Sequence, residues 1–464
     1  MTRFVGCLYF DGRLADRRTV VQLQHALSLR RGGDPWCHCD RVMGLSVEKP
    51  VEKPVEKPVE KPGDRSVTES AFAVGAGSAA IAWDGRLDNA STLRCVLGDT
   101  VDAGTDADVV LAAYARWGED AFERLIGDFS FSIWDPARQA VHLVRDFSGV
   151  RPLYYCIDDR EAWWASDLTM LCRVKHRMGQ LSLHDESLRR FLLSIADPGD
   201  SPFTGLHVVP PGHCLTLRSG QIGRHACWQP SAREVIRYRH DSEYRDHFVD
   251  VFRQAVSCRL PRGADVWAEL SGGLDSSSIV CMADRITRAA AAPRRSALST
   301  VTYRTPAKVL GDELPYLEAV EHAVGRPGLH LPETGFSSFF PPQLDDRFVS
   351  RPVLFLGRRV KVVELMEQRG VEVLLSGQGG DDVMWSPTQL CPDLADLLSR
   401  GRLVSLHQRI RRHAFVLQGR TYWNLLWREA IAPLLGRKGD WELKMAGLAA
   451  RRGAADAALD VCKG

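Results

Sequence analysis

One strand-to-helix junction in the middle of the chain constrains the fold more than any other segment. The apolar run Val266–Leu270 leads into Ser271-Gly272-Gly273-Leu274-Asp275-Ser276, and an apolar stretch compatible with a helix continues to about Ile286. Two adjacent glycines let the backbone turn tightly and approach a ligand without Cβ clashes. The first turn of a helix offers N–H groups without partners and a partial positive charge. The junction therefore predicts a phosphate-binding loop.

The side chains of this loop add chemistry to its backbone. Ser271, Ser276 and Ser277 bring hydroxyl donors. Asp275 would repel phosphate oxygens, so its presence is explained if Mg²⁺ lies between its carboxylate and the phosphates. The segment does not follow the Gly-x-x-x-x-Gly-Lys-Ser/Thr pattern of a Walker loop. We therefore predict that Asp275 is a catalytic and metal-binding residue.

A second glycine-rich loop follows a later strand. The run Val371–Leu375 is predicted to be a strand, and it ends in Ser376-Gly377-Gln378-Gly379-Gly380-Asp381-Asp382. From residue 241 onward, apolar strands alternate with amphipathic helices, a pattern typical of an α/β fold with a doubly wound parallel sheet. Ligands of such sheets bind beyond the carboxyl ends of the strands. Asp381 is therefore predicted to join Asp275 at the metal ion.

The N-terminal part of the chain has a different pattern. Short β-like runs with turn signals follow one another closely, from Phe4–Phe10 to Ala162–Ala165. Apolar residues at helical spacing predict a helix over Asp106–Trp117. These patterns favour a mainly antiparallel sheet domain before the parallel one. The predicted organisation is an N-terminal domain at 1–205, a linker at 206–240 and the parallel-sheet domain at 241–464.

Two segments of the N-terminal domain are predicted to be loops or turns. Val47–Pro62 consists of four tandem copies of Val-Glu-Lys-Pro. Proline at every fourth residue excludes a regular helix and a central strand, so this repeat is expected to be an extended surface loop. The apolar strand Ala79–Trp83 is expected to end at a turn formed by Asp84-Gly85.

Composition excludes several classes of protein. The net charge of +2 gives no general case for binding nucleic acid or a membrane surface. The chain has no apolar run of the roughly 18 residues that a membrane span needs. Twelve cysteines without a repeated spacing, and no export signal, predict reduced thiols in a cytoplasmic protein. Cys37-His38-Cys39 lacks a second ligand pair and is therefore interpreted as ordinary thiols on a loop or strand.

Both loops resemble those of one group of enzymes. Ser271–Ser276 is similar to the Ser-Gly-Gly-x-Asp-Ser loop of the ATP-pyrophosphatase superfamily, whose members cut ATP between its α- and β-phosphates to adenylate a substrate. Together with Ser376–Asp382, this loop makes the chain resemble the asparagine synthetase family. The resemblance implies ATP and Mg²⁺ as cofactors. It also implies an ATP site formed by Leu270, Ser271, Gly272, Gly273, Asp275, Ser276, Val301, Ser376 and Gly377.

The N-terminal part resembles the glutaminase domain of the same family. Residues 84–89, 127–135 and 145–155 carry this resemblance, which implies an α/β/β/α sandwich of the N-terminal-nucleophile type. A working glutaminase needs an N-terminal cysteine whose α-amine is the base, whereas this chain has Thr2. The family's Asn-Gly-Glu is Asp84-Gly85-Arg86 here, which places an acid at the oxyanion position and a cation at the ammonium position. We therefore expect this domain to be inactive.

Without ammonia, the amine must come from the substrate itself. β-Lactam synthetases and lasso peptide cyclases work in this way, and Gln378, where asparagine synthetases carry Glu, makes the chain resemble the cyclases. This implies a catalytic role for Gln378, a precursor peptide as substrate, and a leader-binding protein and a leader peptidase as partners. Another amide-forming synthetase and a non-catalytic scaffold remain as alternatives. The family also directs a lysine at the phosphates, for which Lys361, Lys438 and Lys444 are candidates.

Overall fold

The computed structural model describes residues 3–25, 35–48, 72–75, 79–98, 104–193, 199–218, 221–229, 236–261, 264–289, 298–304, 313–332, 335–336, 356–380, 392–416 and 421–434. The strands of its N-terminal part are β1 (Phe4–Tyr9), β2 (Trp36–Asp40), β3 (Met43–Val47), β4 (Phe72–Val74), β5 (Ala80–Leu87), β6 (Gly127–Asp135), β7 (Ala140–Arg145), β8 (Tyr154–Ile157), β9 (Glu161–Ala165), β10 (His207–Val208), β11 (His213–Arg218) and β12 (Gln221–Ala226). The helices are α1 (Arg17–His25), α2 (Ala90–Leu97), α3 (Asp106–Trp117), α4 (Leu168–Arg177) and α5 (Asp185–Leu192), with a 3₁₀ turn at Gly118–Arg124.

These strands form two six-stranded antiparallel sheets. The first has the order β10-β8-β9-β1-β3-β2, and the second has the order β12-β11-β7-β6-β5-β4. The facing surfaces of the two sheets share one core, in which Phe4 and Leu45 of the first sheet meet Trp134 and Leu143 of the second. Helices α2 and α3 cover the outer face of the second sheet, and α1 and α4 cover the outer face of the first. The predicted α/β/β/α layering is confirmed.

The predicted turn at Asp84-Gly85 is wrong, because both residues lie inside β5. The pairing of β5 with β6 runs without interruption from Ala80 opposite Trp134 to Leu87 opposite Gly127. A Cβ at Gly85 would collide with the backbone of Phe129, so the glycine permits close strand packing here rather than a change of direction. The sequence pair Asp-Gly signals a turn only where no neighbouring strand continues the ladder.

The range 206–240, predicted to be a linker, contains three strands of the sandwich. β10 pairs with β8, and β11 lies between β7 and β12 in the second sheet. The Pro210-Pro211-Gly212 turn leads into β11 rather than out of the domain, with Gly212 at φ +69°. The chain therefore leaves the two sheets only after Ala226.

The Cys37-His38-Cys39 segment lies on strand β2. The two Sγ atoms are 3.9 Å apart because residues two positions apart share a face of a strand. The His38 ring lies beside the Phe72 ring instead, with centroids 6.3 Å apart. The three side chains do not converge, which agrees with the interpretation as ordinary thiols.

The first residue of the Val-Glu-Lys-Pro repeat belongs to a strand rather than to a loop. Val47, the first residue of the repeat, ends β3, is fully buried, and pairs with Phe4 and Trp36 on the two neighbouring strands. Residues 49–62 lie outside the described residues. The prediction of a surface loop over the whole of 47–62 is therefore wrong at Val47, because a central position in the sheet outweighs the proline-rich context.

Two deletions should separate Val47 from the rest of the repeat. Deleting residues 51–62, three of the four copies, should leave the free energy of unfolding close to its original value, because solvated proline-rich sequence buries little surface. Deleting 47–62 should lower it by at least roughly 1.5–3 kcal/mol, the value of one buried valine side chain. Urea unfolding of the full chain measures both. A large loss in the shorter deletion would show that the repeat packs against the domain.

The second part of the chain forms a parallel sheet with helices on both faces. Its strands are β13 (Val266–Glu269), β14 (Leu298–Arg304), β15 (Leu329–Pro332) and β16 (Val373–Leu375), and its helices are α6 (Asp241–Ser257), α7 (Leu274–Ala289), α8 (Leu314–Val324) and α9 (Leu356–Arg369). All three strand pairings are parallel. Helices α6, α7 and α8 pack on one face and α9 packs on the other. The predicted doubly wound arrangement is confirmed, with strand and helix ends shifted by a few residues.

A small helical cluster follows this sheet. It contains α10 (Pro392–Ser399), α11 (Leu403–Val416) and α12 (Tyr422–Leu425), which continues through a π-helical stretch (Leu426–Ile431) into α13 (Ala432–Leu434). Buried side chains on these helices, among them Leu394, Ile410 and Leu425, form a core of their own. Within the described ranges, no helix combines the length and the apolar character needed to cross a bilayer.

Candidate active site

The order of the parallel strands places both glycine-rich loops at one point of the sheet. The order is β15-β14-β13-β16, so the chain builds from β13 outward to β15 and then returns to the other side of β13 for β16. The direction of winding therefore reverses between β13 and β16. Ligands of open α/β sheets bind beyond the carboxyl ends of the strands at such a reversal. The loop at 271–273 leaves β13 there, and the loop at 376–380 leaves β16 beside it.

The first loop is shaped by Gly272 and by two serines. Gly272 has φ +95°, and a Cβ at this position would lie 2.7 Å from the carbonyl oxygen of Glu313 at the start of α8. Ser276 Oγ lies 3.0 Å from Ser271 Oγ and accepts a hydrogen bond from the Ser271 amide. The Gly273 amide donates to Ser271 Oγ. These hydrogen bonds of the serine hydroxyls stabilise the turn between β13 and the start of α7.

The two loops touch each other through Asp275. A Cβ at Gly380 would collide with the Asp275 carboxylate, and a Cβ at Gly377 would lie 3.1 Å from the Ser276 amide nitrogen. The glycines of the second loop therefore leave room for the Asp275 side chain and for the first turn of α7. Asp381, the predicted partner of Asp275, lies outside the described residues, and the structure describes its neighbour Gly380 beside the Asp275 carboxylate.

Two polar contacts at this site were not predicted from the sequence. Ser376 Oγ donates a short hydrogen bond to Glu269, the last residue of β13. Arg359 on α9 donates to Gln378 Oε1 at 2.9 Å. The sequence could have indicated Glu269, since ligands of parallel sheets bind at the carboxyl ends of the strands, where this carboxylate lies. Burial, followed by the negative charge of Glu269, raises the pKa of the neighbouring Tyr303 phenol.

Leu270 and Val301, which the family resemblance assigns to the ATP site, lie beneath the loops in the core. Both side chains are buried, and the Leu270 amide donates to the Val301 carbonyl at 2.9 Å. By contrast, Leu274, the first residue of α7, is 87% exposed. Lys361 is exposed on α9 and pairs with Glu364 at 3.3 Å. Lys438 and Lys444 lie outside the described residues.

The described residues fit a metal-bound nucleotide phosphate. Gly272, Gly377 and Gly380 permit the loops to pack closely against Glu313 and the start of α7, and the first turn of α7 supplies amide groups that have no acceptor within the helix. Asp275 provides carboxylate oxygens, the ligands that Mg²⁺ prefers. Ser271 on the first loop and Glu269 at the end of β13 bring further oxygen atoms to this edge of the sheet.

Comparison with known proteins agrees with this geometry. Residues 247–428 match the asparagine synthase family, and residues 67–228 match the glutamine amidotransferase domain family. The first range contains the parallel sheet with both loops, and the second covers most of the antiparallel sandwich. The chain thus carries the two domains of the asparagine synthetase family, a glutamine amidotransferase domain and an asparagine synthase domain.

Individual relatives match over part of their length. Asparagine synthetase [glutamine-hydrolyzing] 3 of Bacillus subtilis is 29% identical over 44% of this chain and 33% of its own length. A putative asparagine synthetase [glutamine-hydrolyzing] 2 of Methanocaldococcus jannaschii is 25% identical over 65% of this chain and 58% of its own length. The amidase chry2 of Gibberella zeae is 25% identical over 60% and 42%. The chain thus spans less than two thirds of these relatives.

Four charged side chains, three from the glutamine amidotransferase domain and one from the asparagine synthase domain, form a cluster between the two domains. Arg86 contacts Asp88 at 2.7 Å and Asp128 at 3.0 Å. Arg259, just beyond α6 of the asparagine synthase domain, contacts the same two carboxylates at 3.0 Å and 3.5 Å. The Asp88 side chain is only 6% exposed. We call these residues the four-charge cluster; they join the two domains.

Proposed function

We propose that this protein is an ATP-dependent amide ligase that closes a macrolactam ring in a peptide, as lasso peptide cyclases do. An Asp or Glu side-chain carboxylate of the peptide attacks the α-phosphate of ATP, which releases pyrophosphate and forms an acyl-adenylate. The N-terminal amine of the same peptide then attacks the acyl carbon. The C–O bond to AMP breaks, the amide forms, and one proton leaves.

The observation that carries this proposal is the position of Asp275 between the two glycine-rich loops at the reversal of the sheet. The amide groups at the start of α7 and the Ser271 hydroxyl are placed to hold phosphate oxygens. When bound, Mg²⁺ at Asp275 would neutralise the charge that develops on the departing pyrophosphate. Glu269 and Ser376 are joined by a hydrogen bond at the ends of the neighbouring strands β13 and β16, and we propose that they orient the carboxylate that is activated.

The residues of the amidotransferase domain indicate which amine takes part in the proposed reaction. Asp84, at the position where the family carries its oxyanion donor, is buried at 3% exposure and lies 3.8 Å from Arg151. Arg86, at the position of the ammonium acceptor, is held by Asp88 and Asp128. Neither residue suits glutamine hydrolysis, because an acid repels the oxyanion and a cation repels the ammonium. We therefore propose that the domain is inactive and that the amine belongs to the substrate.

An amine within the same molecule has a large kinetic advantage. Holding both reacting groups in one cavity replaces a bimolecular encounter, which can lower the barrier by roughly 7–11 kcal/mol when the geometry is right. A peptide with its N-terminus and an acidic side chain in one cavity satisfies this condition. The choice of a peptide follows the resemblance carried by Gln378, whose side chain Arg359 holds in place. The precursor peptide, a leader-binding protein and a leader peptidase are the proposed partners.

Oxygen labelling tests the reaction directly. Leader-free core peptides with ¹⁸O in the acidic side chain are incubated with ATP, Mg²⁺ and the full chain. Because one carboxylate oxygen leaves with AMP, we expect ¹⁸O in AMP, unlabelled pyrophosphate, and a peptide lighter by one labelled water. ADP as the stoichiometric product would contradict adenylation. Amide nitrogen derived from ¹⁵N-glutamine added to the same reaction would contradict the internal amine.

A further inference from the structure

A cluster of metal-ligating side chains lies in the sandwich, apart from the two glycine-rich loops. It consists of Cys214 on β11, His225 on β12 and Cys227 just after β12. Their sulfur and ring nitrogen atoms all lie within 4.8 Å of one another. Both sulfurs belong to buried residues, whereas the His225 side chain is 42% exposed. Two thiols and one imidazole thus face a common point that opens to solvent on one side.

The register of the hairpin brings these residues together. Cys214 pairs directly with His225 across the β11–β12 ladder. After β12 the chain bends back, because the Gly212 carbonyl accepts hydrogen bonds from the amides of Cys227 at 2.8 Å and Trp228 at 3.2 Å. A Cβ at Gly212 would lie 2.8 Å from the Trp228 carbonyl oxygen, so glycine permits this close return. The backbone, rather than a flexible side chain, therefore fixes the two cysteines side by side.

A carboxylate from another element lies beside two members of this cluster, His225 and Cys214. Glu119, in the 3₁₀ turn at Gly118–Arg124, has one carboxylate oxygen 3.8 Å from His225 Nδ1. Its other oxygen lies 3.9 Å from His142 Nδ1. The donor atoms of Glu119, His142 and Cys214 also lie within 4.8 Å of one another. Glu119 therefore touches the cluster from the side where His225 is exposed.

His142 lies behind this cluster rather than in it. Its Nε2 lies 2.9 Å from the Tyr114 hydroxyl, and its Nδ1 lies 3.1 Å from Thr216 Oγ1. Tyr114 in turn donates to Asp135 at 2.8 Å. Both ring nitrogens of His142 are thus engaged by neighbours, and the ring is fully buried. His142 therefore lies beside the site, 3.9 Å from the Glu119 carboxylate, without a hydrogen bond to it.

We propose that Cys214, Cys227, His225 and Glu119 form a binding site for a divalent metal ion of the zinc type. Thiolate and imidazole ligands select zinc over the hard ions Mg²⁺ and Ca²⁺, and four ligands complete its tetrahedral coordination. Zinc bonds of about 2.0–2.3 Å require ligand atoms closer together than 4.8 Å, so the donors must draw in. The exposed side chains of His225 and Glu119 are free to move toward the cysteine pair. Binding releases the two thiol protons.

This site would connect the last hairpin of the sandwich to the turn that follows α3. The hairpin is the outer edge of the second sheet, where β12 has a neighbour on one side. A metal bound only by the folded chain raises its stability by mass action. The expected role is therefore structural, and it does not depend on the reaction at the two glycine-rich loops.

Cobalt provides the test, because Co²⁺ bound by thiolates absorbs in the near ultraviolet and gives intense visible bands when tetrahedral. The full chain is reduced, freed of metal with a chelator and titrated with Co²⁺ and then with Zn²⁺. We expect one equivalent of Co²⁺ to give both bands and Zn²⁺ to remove them. Cys214→Ser and Cys227→Ser should each weaken the sulfur band and lower the affinity at least 100-fold.

Controls keep the result specific. Cys95→Ser on α2 and Cys37→Ser on β2 should retain the spectrum, since neither cysteine belongs to the cluster. If the buried cysteine variants do not fold, His225→Ala replaces them in the test. It alters an exposed side chain, so it should lower the metal affinity while the chain still folds. Unchanged sulfur bands in Cys214→Ser, Cys227→Ser and His225→Ala, or no such bands in the reduced protein, would overturn the proposal. So would a thiol count showing that Cys214 and Cys227 form a disulfide that persists under reducing conditions.

Discussion

Asp275→Asn should abolish formation of AMP and pyrophosphate, with turnover lowered at least about 100-fold while the chain stays folded. The substitution keeps the size of the side chain that Gly380 accommodates but removes the charge that would hold Mg²⁺ at the phosphates. A 100-fold loss corresponds to about 2.7 kcal/mol of barrier. Pyrophosphate release measured with saturating ATP and peptide gives the rate, and circular dichroism with urea unfolding checks the fold.

Asp284→Asn is the control for this variant. Asp284 lies further along α7 and pairs with Arg288 at 2.7 Å, away from the loops. An ion pair four residues apart on a helix surface contributes about 0.3–0.5 kcal/mol, so this variant should keep its turnover and nearly all its stability. Near-normal turnover in Asp275→Asn, or an equal loss in both variants, would remove Asp275 from the proposed site.

Gly272→Ala should lower turnover by about 100-fold through the shape of the loop alone. The new Cβ would lie 2.7 Å from the Glu313 carbonyl oxygen, so the loop must move away from α8. A displacement of about 1 Å in a catalytic site can cost about 100-fold in rate. The affinity for a non-hydrolysable ATP analogue, measured by calorimetry, should fall together with turnover, because the same loop is predicted to hold the phosphates.

Gly335→Ala is the control that separates the effect of the collision at Gly272 from the effect of backbone strain. Gly335 has φ +96°, against +95° for Gly272, but a Cβ there meets no atom within 4 Å. Both variants therefore bear a similar conformational cost of roughly 1–3 kcal/mol in stability. Only Gly272→Ala should lose activity and nucleotide affinity. Equal activity in the two variants would show that the loop at 271–273 does not have to keep its present position for catalysis.

The strand-to-helix junction could be predicted because its signals are local. The apolar run, the two glycines and the helix that follows Asp275 lie next to one another in sequence, and the structure has β13, the loop and α7 at those positions. The helix Asp106–Trp117 was predicted to the residue, since Thr105 forms a capping box with Asp108 and Gly118 ends it. Period and capping are properties of a few neighbouring residues.

The features that could not be predicted depend on which strands become neighbours. Glu269 and Ser376 are 107 residues apart and meet only because β13 and β16 are adjacent. Asp84-Gly85 lies within a strand because β6 continues the ladder beside it. The pairing of Cys214 with His225 likewise needs the register of the β11–β12 hairpin, which sequence spacing alone does not specify.

The four-charge cluster of Arg86, Asp88, Asp128 and Arg259 has a consequence for building chimaeras. Arg259 comes from one domain, and Arg86, Asp88 and Asp128 come from the other. Grafting residues 241–464 onto the amidotransferase domain of a relative that lacks the two aspartates would leave the half-buried Arg259 without these counter-charges. Asp88 and Asp128 should therefore be introduced into the recipient domain together with Arg259. The four-charge cluster is thus the first contact to check when domains of such proteins are recombined.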